Sequence, residues 1–124
     1  MLPRLFFIAF ILALTVASLT PGQDLPAITF NDKAAHFAAY FLLALNACAL
    51  ALPPRKLRSL LLGIVLYGIV IEACQGLLIP GRHASLLDAL ANTLGVIAAI
   101  AVYRYRKSRR LRLKQHISRK DSAE

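Results

Sequence analysis

The sequence predicts an all-α fold, an integral membrane bundle of four transmembrane helices with N and C termini cytoplasmic. Three observations predict it. Hydrophobic residues make up 58% of the 124-residue chain against 17% charged, above the roughly 45–50% apolar content of soluble domains and far from the apolar-poor composition of disordered chains. Four apolar stretches, joined by short connections marked with Pro or Gly, approach the about 20 residues that a helix needs to cross a bilayer core. Almost all basic residues then fall on one side of the spans that those stretches define.

The first span runs from Leu5 to Leu19 and is followed by the breakers Pro21, Gly22 and Pro26. Arg4, the short apolar run and the small residues Val16-Ala17-Ser18 also fit a secretory signal peptide. A retained anchor is preferred because the later spans need a first crossing to keep their parity. The second span covers about Ala34 to Leu52 and stops at Pro53-Pro54; the third covers about Leu60 to Ile79 and stops at Pro80-Gly81; the fourth covers about Leu86 to Tyr103. Residues 1–103 thus form the membrane domain and residues 104–124 a basic cytoplasmic tail. There is no room for a separate catalytic module.

Orientation follows from the Lys and Arg residues. Arg4, the Arg55-Lys56-Arg58 connection and nine residues of the tail share one side, whereas only Lys33 and Arg82 fall on the other. The protein is therefore expected in the cytoplasmic (inner) membrane as a multi-pass chain, with the connections around residues 24–33 and 80–84 extracytoplasmic. A formal net charge of +9 and a pI near 10.3 are compatible with nucleic-acid binding. Here the basic block abuts an apolar stretch, so topology accounts for it and no nucleic-acid partner is expected. The tail is also suited to anionic lipid, at about 1 kcal/mol per residue near the surface. Cys48 and Cys74 are expected about 15 Å apart in height, beyond the about 7 Å that a disulfide spans between Cα atoms.

Polar residues inside the spans carry the functional signal. A carboxylate in an apolar span costs about 2.5–3.5 kcal/mol, so Glu72 and Asp88 need a reason to be there. Both lie about eight residues from the Pro80 connection, at similar depth in the outer half. Glu72 and Gln75 share a face of the third helix; Ser85, Asp88, Asn92 and Gly95 form one stripe on the fourth; His36 and Tyr40 share a face of the second, one turn beyond Asp32 and Lys33. Ala84, Ala91, Gly95 and Ala99 leave the fourth helix slim for close packing. Asn46 and Tyr67 fall off the cluster's phase or depth and read as packing residues. The plain alternative is structural: His36 as a satisfied helix-end histidine, Tyr40 as an interfacial aromatic, Gln75 and Asn92 as interhelical glue at about 0.6 kcal/mol per contact. A buried ion pair adds little stability by itself, which favours a site over a scaffold.

The runs Asp32-Lys33-Ala-Ala-His36-Phe-Ala-Ala-Tyr40, Glu72-Ala-Cys-Gln75 and Pro80-Gly81-Arg82-His-Ala-Ser85-Leu-Leu-Asp88-Ala-Leu-Ala91-Asn92-Thr-Leu-Gly95, in this order, resemble the VanZ-like family of small bacterial membrane proteins. The resemblance covers about residues 32–95 and rests on three linked motifs. That family takes its name from a member associated with resistance to teicoplanin, a glycopeptide that acts on cell-wall precursors. The resemblance implies a membrane-protein class, a cell-envelope context and, at its furthest, a link to glycopeptide susceptibility; it implies no reaction.

Two functions fit these residues. In the first, the cluster binds an anionic lipid or a polyprenyl-linked envelope precursor. Lys33 and Arg82 take the charge, while Asp32, Tyr40, Gln75, Ser85 and Asn92, with Glu72 and Asp88, shape the pocket. In the second, a small intramembrane enzyme uses His36, Glu72 and Asp88 for acid–base chemistry, with Lys33 and Arg82 stabilising developing charge and Ser85 as a candidate nucleophile. No cofactor motif is present. A His36/Glu72/Asp88 metal set has suitable ligand types but no tight spacing signature, so no metal site is assigned from sequence.

Overall fold

The computed structural model describes residues 2–21, 32–80 and 83–121. The described residues form four helices: α1 (Leu2–Leu19), α2 (Asp32–Ala49), α3 (Pro54–Leu78) and α4 (Leu86–Asp121). The architecture is all-helical, and α1, α3 and α4 are each long and apolar enough to cross a membrane, which indicates a membrane protein. α2 is not among those three. Asp32, Lys33 and His36 in its first two turns and Asn46 near its end lower its apolar character.

Helix ends follow the breakers more closely than the hydropathy. The α2 chain stops where Leu50 N–H reaches the Ala47 carbonyl at 3.2 Å and Ala51 turns into the left-handed region at φ 52°, a conformation that commonly ends helices and that glycine fills at lower cost than alanine. α3 then begins at Pro54, its first helical residue, where a missing N–H is harmless and the ring's fixed φ is already helical. The basic residues Arg55, Lys56 and Arg58, expected in a connection, therefore lie inside the first turns of α3. At the other end, Ile79 is extended and its N–H closes on the Gln75 carbonyl at 3.2 Å.

The second departure is at the C-terminus. α4 does not stop with the apolar run near Tyr103 but continues to Asp121. No Gly or Pro follows Gly95, and Arg, Lys, Leu and Gln are good helix formers. The basic segment therefore extends the last helix by about 27 Å at helical rise.

α2 and α4 share the most extensive helix contact, while α1 touches α2 and α3 but not α4. The α2 side of the central seam presents Tyr40, Leu43, Ala44, Ala47 and Cys48; α4 contributes Ala91, Asn92, Gly95, Val96 and Ala99, and α3 adds Leu61, Ile64, Gly68 and Ile71. Small residues at four-residue intervals let backbones approach, and this seam takes the approach to its limit. A Cβ on Gly95 would press on the carbonyl oxygen of Phe37 and the amide nitrogen of Phe41. Ala84, expected to slim the fourth helix, precedes α4 and instead lies against Gly76 of α3. On the opposite side of α4 by helical phase, Leu90, Leu94 and Ile97 are about half exposed, giving the helix an apolar outer face and a polar inner stripe.

α1 packs through Phe7, Phe10, Ile11 and Leu14. It is also tied by hydrogen bonds: Thr15 Oγ1 lies 2.8 Å from the Tyr67 hydroxyl, and Gln75 Nε2 donates to the Ser18 carbonyl at 2.7 Å. Both cysteines are free thiols.

Candidate functional site at the polar end of the α2–α4 seam

The α4 start is built by a capping arrangement divided among three residues. Ser85 precedes the helix, and its Oγ accepts the Asp88 N–H at 3.2 Å, the usual N-cap bond. In a capping box the residue at Asp88's position would return the favour by accepting the cap residue's own N–H. Here Glu72 of α3 does so, with Oε1 2.7 Å from Ser85 N. Its negative charge also suits the positive end of the α4 dipole. The Asp88 carboxylate, hydrogen-bonded to the Ser85 side chain, also turns to α2.

There it meets Lys33, whose Nζ lies 3.1 Å from Asp88 Oδ1. The pair is asymmetric: the Lys33 side chain is 48% exposed and the Asp88 side chain 9%, so the cation remains reachable from outside while its counter-ion is fixed in the bundle. One turn further, His36 Nδ1 is 3.1 Å from Asn92 Oδ1. An amide oxygen only accepts, so this contact places a proton on Nδ1. The other ring nitrogen, Nε2, lies 3.8 Å from Asp32 Oδ1. Among the described residues, ligand atoms of Asp32, His36 and Asp88 all fall within 4.8 Å of one another, a spacing that could hold a metal ion.

Of the residues singled out from sequence, Asp32, Lys33, His36, Asp88 and Asn92 meet on facing sides of α2 and α4. Glu72 and Ser85 join them through the α4 cap. Gln75 turns to α1 instead. Tyr40 is 1% exposed and lies deeper in the seam, with its ring centroid 6.1 Å from that of Tyr67 and its edge against Gly68. Arg82 lies outside the described residues.

Three buried polar atoms have no hydrogen-bond partner among the described residues: Tyr40 OH, Glu72 Oε2 and Asn92 Nδ2. They come from α2, α3 and α4 respectively. Buried polar groups are normally satisfied because each orphan costs about 1–3 kcal/mol, so these three atoms retain bonding capacity within the bundle.

Two contacts escaped the sequence reading. The Thr15–Tyr67 bond has no motif, since it depends on how α1 lies against α3. The N-cap role of Ser85 was signalled, because Ser-x-x-Asp before an apolar run is a helix-start pattern. No family model, curated protein or solved structure matches this chain.

Proposed function

We propose that this chain is a VanZ-like cell-envelope protein of the cytoplasmic membrane. It spans the bilayer four times with both termini cytoplasmic and binds an anionic lipid or lipid-linked envelope precursor from the extracytoplasmic side. Orientation is supported by the distribution of basic residues. A retained first span is supported by the docking of α1 on α2 and α3. For α2, a length of 18 residues gives about 27 Å at helical rise, and its polar first turns are met by Asp88 and Asn92.

The single observation that carries the binding reading is the half-exposed Lys33 held against a buried Asp88, at one end of a bundle with an apolar outer face. A cation so placed offers charge to a phosphate at the interface, and the orphan Tyr40, Glu72 and Asn92 atoms offer hydrogen bonds below it. Arg82 belongs to the proposal by its place in the sequence.

The test is binding of phosphatidylglycerol and of a polyprenyl phosphate to the full chain in neutral-lipid nanodiscs. Saturable binding weakened about tenfold, or 1.4 kcal/mol, by Lys33→Ala and by Arg82→Ala supports it; binding unaffected by both removes it. Single cysteines at Gln23, Gly81 and Ser118, in a chain lacking Cys48 and Cys74, test the topology: the first two should label from outside and the third only from inside.

A second reading, acid–base chemistry on such a lipid, is favoured by one observation: His36 is oriented by Asn92 and faces a carboxylate, an arrangement used by general bases. Turnover of the bound lipid that is lost in His36→Ala, Glu72→Gln and Asp88→Asn would select it over binding alone.

A further inference from the structure

We infer that Asp32, His36 and Asp88 form a binding site for one divalent transition-metal ion of the Zn2+ or Mn2+ class, with Asn92 as the residue that orients the histidine. The inference does not depend on the lipid reading.

The His36 geometry is the starting point. With the proton on Nδ1, donated to Asn92 Oδ1, a neutral ring has its lone pair on Nε2. That atom faces Asp32 Oδ1 at 3.8 Å, so two acceptors oppose one another at a separation too long for a hydrogen bond. Bond lengths of about 2.0–2.2 Å from a metal to nitrogen or carboxylate oxygen put tetrahedral ligand atoms roughly 3.3–3.6 Å apart. The His36–Asp32 spacing is close to that. Asp88 offers a carboxylate oxygen within 4.8 Å of a His36 ring nitrogen and of an Asp32 oxygen, and Asp32, on an exposed first turn of α2, has room to close on an ion.

The surroundings are those of a metal site. Metal-bound histidines characteristically donate their second ring N–H to a fixed acceptor, which sets tautomer and ring orientation; here the acceptor is on Asn92, which is 2% exposed and anchored in the seam. Asp88 is likewise fixed, by its bond to Lys33 and by the α4 cap. The local charge favours a cation: two carboxylates and one ammonium leave one negative charge. A mixed imidazole and carboxylate set suits Zn2+ or Mn2+ better than Mg2+ or Ca2+, which favour all-oxygen ligands. Three protein ligands leave a position open for water or an anionic oxygen.

Because Asp32 and His36 come from α2 and Asp88 from α4, the ion would clamp the two helices together, and binding should stabilise the bundle by linkage. The test uses the untagged full chain in detergent, titrated with Zn2+, Mn2+, Mg2+ and Ca2+ alone and followed by calorimetry and by Tm. One equivalent of Zn2+ or Mn2+ should bind and raise Tm, with Mg2+ and Ca2+ silent. Asp32→Asn, at an exposed position, should lower affinity while leaving the metal-free Tm unchanged. Asn92→Ala should weaken binding about 10- to 100-fold although it removes no ligand. Absence of Zn2+ and Mn2+ binding overturns the site. Binding that survives Asp32→Asn and His36→Gln intact also overturns it, by placing the ion at other groups such as His83 or His116.

Discussion

The two halves of the α2–α4 seam are built on opposite principles. The half holding Leu43, Ala44, Ala47, Val96 and Ala99 is apolar and fully closed. Between hydrocarbon-facing helices, lipid is as apolar as the protein, so such a seam holds by close packing of small residues rather than by escape from water. The half holding Lys33, His36, Asp88 and Asn92 is held by an ion pair and hydrogen bonds, and it keeps polar atoms without partners. The apolar half sets how near the helices come; the polar half uses that nearness to bring acids, a base and an imidazole to one level. Apolar packing and polar contacts are thus separated along a single interface.

Substitutions at the two halves should differ in size and in kind. The largest effect is expected at their junction. Gly95→Leu must push α4 off the Phe37–Phe41 backbone, an overpacking cost of about 3 kcal/mol. Leu94→Ala on the outer face should be near neutral by comparison. Unfolding in mixed micelles reads both, and equal losses would show that the seam is not the tight contact described. Next comes the ion pair. Lys33 is half exposed, so Asp88→Asn should cost about 1–2 kcal/mol, less than the 3–5 typical of a fully buried pair. A double-mutant cycle with Lys33→Met should return a coupling of about 1 kcal/mol; zero coupling would reduce the contact to coincidence.

A smaller effect is expected at the α4 cap. Glu72→Ala removes the acceptor of Ser85 N–H and should cost about 1 kcal/mol, with faster hydrogen exchange at residues 85–88. Glu72→Gln keeps an acceptor and should restore slow exchange; if it does not, charge rather than capping is what Glu72 supplies. The smallest effects belong to α1. Thr15→Val and Gln75→Leu should each cost about 0.6 kcal/mol and loosen α1 without disturbing metal or lipid binding. A loss of either binding activity in these variants would extend the site to α1.

How much of this was legible beforehand varies by residue. The four helices and their breakers were plain, because Pro and hydropathy act locally, although only three of those helices are apolar enough to cross a membrane. The Asp88-Asn92-Gly95 stripe was plain because helical phase is fixed, whereas Ser85 lies before the helix and caps it. The C-terminal limit of α4 was not, since hydropathy marks where a membrane ends and not where a helix does. Glu72 shows a different limit. Its depth and phase were readable, but its bond to Ser85 depends on how the α3–α4 connection folds back. Tyr67 lies off the phase of the polar stripe, and only the lie of α1 brings Thr15 to its hydroxyl.

By itself the sequence determined the all-helical class, the breakers that bound the helices and which polar groups each helix carries, because periodicity, breakers and residue chemistry are properties of the chain. Tertiary structure decided which of those groups meet. Asp88 reaches Lys33 across the seam while Glu72, from another helix, accepts the Ser85 N–H; and His36 meets both Asp32 and Asn92 because Gly95 lets two backbones come close.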